Sequence, residues 1–227
     1  MLINLTQRCD TAFQKSVLLK CYDALSAAGF LRFRREGVDW PFEGGFHCWV
    51  GLDTVLKKDH LAINPFVGVH VVPIMKFYTA LECRRYSRTV STYALDMGKL
   101  KSYGPVFRFT RHSDVDAVVA RLVRLYTSAG LAYAKSIANY ELLLPLLQRR
   151  VGMLAEYPER TAACLYMMGR KDEARSFTEK FFAQHRDYFE GFAAPFRELL
   201  DRESADEVTR LRIRARSARV RCQQRSS

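Results

Sequence analysis

Among its six cysteines the chain has no CxxC or CxC pair, and it carries no GxSxG, GxxxxGK[ST] or GxGxxG motif. It also lacks any apolar run approaching the roughly 20 residues of a membrane span. Each absence removes a class. Cys9, Cys21, Cys48, Cys83, Cys164 and Cys222 are scattered, unlike the clustered cysteines of a disulfide scaffold or zinc knuckle. Missing glycine loops argue against dinucleotide and P-loop nucleotide binding, and a missing elbow against a serine hydrolase. Met1–Asn4 is followed by polar and charged residues rather than an apolar stretch, so no secretory signal is expected. The expectation is a reduced, cytoplasmic protein that neither crosses a membrane nor carries a cofactor.

The chain does have enough apolar material for a core: 48% of its 227 residues are hydrophobic, sufficient to fold without a staple. Its net charge of +12 is unevenly spread. Residues 208–227 hold seven arginines (Arg210, Arg212, Arg214, Arg216, Arg219, Arg221, Arg225) and no acid, which leaves +5 on residues 1–207. The basic character is thus partly a property of a tail, and says less about the body as a polyanion platform.

Hydrophobic periodicity outlines the elements. Ala12, Phe13, Val17, Cys21, Leu25 and Ala28 recur at helical steps and predict a helix from about Cys9 to Ala28, closed by Gly29. Alternation predicts strands at Phe30–Arg35 and from Phe46 to Leu52. A longer one is expected from Leu61 to Val72, with a bulge or edge at Pro65 because proline cannot donate to a ladder. A short helix over Pro73–Leu81 precedes strands near Arg88–Leu95 and Val106–Thr110, with turn chemistry through Gly98 and Gly104-Pro105. Ser113–Ala129 reads as a helix capped by Ser113 and closed by Gly130. Further helices follow: one from Asn139, kinked or started late by Pro145, then Pro158–Gly169, Lys171–Gln184 and Tyr188–Leu200. Ala162 to Ala174 resembles a single tetratricopeptide-like helical hairpin, too little for a solenoid. The expected fold is α+β, an antiparallel sheet of about five strands with helices packed on it, followed by helical hairpins. In domain terms, residues 1–135 form the sheet domain, 136–207 a packed helical extension and 208–227 a basic tail.

Candidate chemistry is thin. His47, Cys48, His60 and His70 fall in one β-rich region, but neighbours 47 and 48 point to opposite faces of a strand, so no metal site is expected. Buried cysteines are usually inert, and acidic pairs such as Asp39 and Glu43 carry no chemistry without convergence in space, so no enzyme activity is expected. The more suggestive stretch is Gly37-Val38-Asp39-Trp40-Pro41-Phe42, read as an aromatic loop joined by Trp49, since aromatic anchors contribute large contact area at small entropic cost. Asp39, Trp40, Phe42, Trp49 and His70 are the candidate partner contacts. Arg210, Arg212, Arg214, Arg216, Arg219 and Arg221 are the candidates for an alternative role in holding nucleic-acid phosphates.

The opening helix ending in Gly29-Phe30, Gly98, and a later helix followed by Gly130-Leu131 resemble bacterial domains of unknown function found beside polymorphic toxins, over about residues 10–148. The resemblance implies an immunity protein, a partner that binds and neutralises a toxin, and it brings no catalytic residues. Immunity to a nuclease usually requires an acidic surface, and the +5 body departs from that.

Overall fold

The structure, a computed structural model, describes residues 8–33, 37–100, 106–154 and 157–204. The arginine tail, the Gly104-Pro105 turn and residues 34–36 lie outside the described residues. Helix α1 (Thr11–Ala27) begins at Asp10, whose carboxylate accepts from Phe13 N at 2.8 Å. This satisfies a donor that the helix cannot pair itself, and it places negative charge at the positive helix end. Val17, Cys21 and Leu25 face inward. The chain leaves the helix at Gly29 with φ +102°, where a Cβ would also lie 2.8 Å from the Trp40 ring. Only glycine satisfies both demands.

Strands β1 (Leu31–Arg32), β2 (Val38–Pro41), β3 (Phe46–Leu56) and β4 (Leu61–Val71) follow as an antiparallel meander. Helix α2 (Val72–Leu81) continues directly from β4, with Pro73 in its first turn. Strands β5 (Tyr93–Asp96) and β6 (Phe107–Phe109) share the far edge of β4. There β5 pairs with Phe66–Val69 and β6 with Leu61–Ile63. The fold is therefore α+β, with a six-stranded antiparallel sheet.

Several expectations change in detail. Of the bulge or edge expected at Pro65 it is the edge that is found, since Pro65 stands opposite Leu52 in unbroken register and neither β5 nor β6 pairs with it. Asn64 and Pro65 lie where β6 has ended and β5 has not begun, so among the described residues they pair only with β3. That gap is a place where β4 can do without a ladder donor. Residues 38–41, read as a loop, form a strand. The strand expected from Arg88 starts only at Tyr93, because the residues before it are drawn onto side chains of the sheet.

Helix α3 (Val115–Leu125) is capped by Asp114, which accepts from Ala117 N at 3.0 Å, rather than by Ser113, whose hydroxyl accepts from Thr110 N. Gly130 does not end the helical run. A wide turn over Tyr126–Gly130 leads into α4 (Leu131–Ser136). At Gly130 a Cβ would sit 3.2 Å from Tyr126 and 3.4 Å from Met97, so the missing side chain allows close packing. Helices α5 (Tyr140–Leu154, running through Pro145), α6 (Pro158–Met167), α7 (Lys171–Gln184) and α8 (186–204) complete the chain. Among the described residues no helix is long and apolar enough to cross a membrane.

The helices divide the work. α1 packs on α3, and α4 lies on β3 and β4. Phe77, Tyr166, Phe196, Phe192, Phe189 and Phe181 run as consecutive ring contacts of 4.7–5.9 Å from α2 through α6 and α8 to α7. Arg150 and Arg160 donate to the carbonyls of Ala94 (3.2 Å) and Thr92 (3.1 Å), tying α5 and α6 to the β5 region.

Candidate interaction face and its buried polar cluster

The sheet register sorts side chains onto two faces. Asp39 stands opposite Trp49, Trp49 opposite Gly68, His47 opposite His70, Gly51 opposite Phe66 and Asp53 opposite Asn64. Directly opposed residues share a face. The intervening Cys48, Val50, Val67 and Val69, all buried, point to the other side, where the helices lie. The face bearing Asp39, His47, Trp49 and His70 therefore looks away from α3 and α4, although Tyr22 of α1 reaches the edge of β3 beyond the end of β2.

Residues 82–92 cross the upper half of this second face and are fastened to it by polar contacts. Arg88 pairs with the Asp39 carboxylate, which is 1% exposed. A buried carboxylate without a partner would be costly, and the guanidinium supplies the charge that offsets this. His47 Nδ1 lies 3.3 Å from Asp39 Oδ1 and 3.3 Å from Arg88 Nη2. The first contact is within ion-pair range but is not aligned as a hydrogen bond, since Asp39 Oδ1 has no hydrogen-bond partner among the described residues. Trp49 Nε1 donates to Thr89 O at 3.2 Å. His70, fully buried, contacts Val90 O through Nδ1 at 2.7 Å and Tyr86 Oη through Nε2 at 2.8 Å. A carbonyl can only accept, so Nδ1 carries the proton; in the neutral ring Nε2 then accepts from the Tyr86 hydroxyl. Burial holds the His70 pKa below that of an exposed histidine, against the opposing pull of the Val90 carbonyl. The ring is thus held neutral, in one tautomer.

Below this latch no described segment crosses the face. A pocket of roughly 260 Å³ is lined by Tyr22, Phe33, Trp49, Phe66, Asp53 and Thr89, with Gly37, Val50, Gly51 and Leu52 between them. It lies where β2 stops: β2 pairs with β3 only over His47–Trp49, and the Gly37 carbonyl accepts from Phe33 N. The floor is fixed from the helix side. The Tyr126 hydroxyl reaches through the sheet to the carbonyls of Gly51 (2.8 Å) and Phe66 (3.0 Å), and its burial raises its pKa well above the ordinary tyrosine value. Asp39, His47 and His70 do not line the pocket, so the titratable cluster and the cavity are neighbours, not one site.

Of the five candidate contacts, the fold brings Asp39, Trp49 and His70 onto one face but leaves only Trp49 substantially accessible there. Asp39 and His70 are interior. Trp40 stands opposite Cys48 on the helix side and packs edge-on against Phe30 at 5.5 Å. Phe42 is half-buried against the core. The reason is the strand at 38–41: period two sends Asp39 one way and Val38 and Trp40 the other, where a loop would have let all of them face outward. Arg88, Tyr86, Phe33, Phe66 and Gly51 were missed as site residues. The Gly68 and Gly51 positions, two glycines at facing stretches of long strands, were a usable signal of close approach. At Gly68 a Cβ would meet the Tyr93 carbonyl at 1.9 Å.

Cys48 lies on the opposite side of the strand from His47, and burial pushes its thiol up to about 12, as it does for Cys21 and Cys164. Such thiols stay protonated and unreactive at neutral pH. No group of three or more His, Cys, Asp or Glu residues able to hold a metal ion occurs among the described residues. No family model, curated protein or solved structure matches the chain.

Proposed function

We propose that the chain is a non-enzymatic protein-interaction module, and that its contact surface is the lower half of the second sheet face. The observation that carries this reading is the division of that face. Residues 82–92 cover its upper half, while below them Trp49 and Phe66 are half-buried and Val55 is 44% exposed beside the open pocket. Half-buried aromatic residues on a rigid sheet lose little entropy when a partner covers them, which is how interface anchors work. An immunity protein neutralising a partner toxin is the specific form of this reading, and it is supported by the resemblance of Gly29-Phe30, Gly98 and Gly130-Leu131 alone. Co-purification from the native host tests the surface: Val55→Asp and Phe66→Ala should each release the partner held by the unaltered chain. Retention of that partner by both variants would place the interface elsewhere.

A further inference from the structure

The geometry points to the pocket beside β3 as an aromatic cage for a cation, and we propose that it receives a lysine or arginine side chain presented by the partner protein. This rests on the interaction reading above and specifies the residue that anchors it. The chemistry of the lining carries the argument. Four aromatic residues (Tyr22, Phe33, Trp49 and Phe66) line the cavity, and among the described residues of its lining Asp53 is the one that carries charge. In a chain of net charge +12, the described residues of the lining include a carboxylate and no lysine or arginine. Ring faces are negative through their quadrupole, so aromatic walls and a carboxylate select for the same thing, a positive head group with an apolar stem.

The rings are held in place before any ligand arrives. Trp49 reaches over Gly51, where a Cβ would lie only 2.4 Å from its Cη2, and its Nε1 is tied to Thr89 O. Phe33 lies over Gly37 in the same manner, with a Cβ there 2.4 Å from Cε2. Two glycines thus let two rings lie down on the backbone, and Tyr126 fixes the carbonyls of Gly51 and Phe66 beneath them. Phe33 already hosts one cation, the Arg88 guanidinium 4.9 Å from its centroid. At roughly 260 Å³ the cavity falls below the span of pockets that enclose whole drug-sized ligands, about 300–1,000 Å³, and suits a side-chain head group.

The indole N–H resonance of Trp49 in the unaltered chain reads the cage directly. It is told apart from Trp40, the other of two tryptophans, by its loss in Trp49→Phe or by the loss of its companion in Trp40→Phe. Blocked tripeptides with central lysine or arginine should shift it saturably. Their norleucine and citrulline counterparts should bind about tenfold more weakly, and Asp53→Asn should weaken the cationic peptides by a similar factor, as expected when a charge and a cation–π contact are removed. Equal binding of the neutral peptides, an unchanged response in Asp53→Asn, or no saturable shift would each overturn the proposal. Tetramethylammonium binding as tightly as the peptides would also overturn it, because the source would then be a free ammonium ion. A negative titration alongside loss of the partner from Val55→Asp would sink the cage and leave the interaction surface standing.

Discussion

On the helix side of the sheet, Cys48, Val50, Val67 and Val69 present buried apolar groups to α1, α3 and α4. On the other side the same two strands carry His47, Trp49, Gly51 and Asp53 against Phe66, Gly68 and His70. The backbone is shared and the hydrogen bonds are the same, so the contrast isolates what side chains alone decide. The helix side is specified by volume: it needs residues that fill space, and Tyr126 is a polar group that crosses it to reach the strands. The second face is specified by pairing. Asp39, Trp49 and His70 each find a partner on residues 82–92, and where those partners stop the face opens into an aromatic pocket.

The largest effect should come from the volume-specified side. Phe109 is fully buried on β6, and Phe109→Ala should lower unfolding free energy by about 3–5 kcal/mol, the usual cost of an unfilled core ring. Urea denaturation measures it. If Trp49→Ala, on the other face, costs as much, the contrast between filled and open faces fails.

Next is the latch. Asp39→Ala leaves Arg88 without its counter-charge. Loss of one member of a fully buried pair costs about 3–5 kcal/mol; Arg88 keeps 33% side-chain exposure, so a cost nearer 2 kcal/mol is expected. Combining Asp39→Ala with Arg88→Met should recover part of that loss, because no unpaired charge then remains. A double variant no more stable than the single one would mean that the pair does not hold residues 82–92 down.

How much of this could be read from sequence differs between the two faces for the same reason. The helix-side face is periodic: Phe46, Cys48, Val50 and Leu52 announce a strand and its inward side, and α1 and α3 follow from spacing alone. The order of the long elements and the α+β class were therefore legible. The second face depends on pairings between distant positions, Arg88 with Asp39 across 49 residues and Trp49 with Thr89 across 40. No local pattern encodes those. The short strand at Val38–Pro41 was hidden because aspartate and proline both disfavour strands, and its stability comes from the ladder with β3, not from propensity. With that strand read as a loop, Trp40 looked like an anchor.

A smaller effect distinguishes the latch by pH. Burial keeps the His70 pKa below the 6.5 of an exposed histidine. The unfolded chain, with an ordinary histidine, therefore binds more protons over the interval between the two values, and stability falls as pH falls through it. Above that interval the contribution is complete; below the folded value no further loss follows. Protonation would also force Nε2 to donate toward the Tyr86 hydroxyl it now accepts from. Stability should fall further between pH 7 and 5 than it does in His70→Gln, whose profile should be flatter over that interval. Parallel profiles for the two proteins would remove His70 from the latch.

The smallest effect on stability should accompany the largest effect on binding. Val55 is 44% exposed on the open half of the face, and Val55→Asp should change unfolding free energy by no more than about 0.5 kcal/mol, as surface substitutions do. The same variant should release the partner. Removal of residues 208–227 provides the opposite control: it takes away seven arginines and leaves every residue of strands β1–β6 in the chain. If the face is the contact surface, the truncated chain keeps its partner. If the arginines instead hold nucleic acid, the intact chain should bind DNA or RNA with a log–log salt slope of up to about −0.9 per phosphate neutralised, and truncation should abolish that slope while Val55→Asp leaves it intact. The two variants thus exchange roles between the two readings, and one pair of binding measurements at two salt concentrations separates a sheet that binds a protein from a tail that binds phosphates.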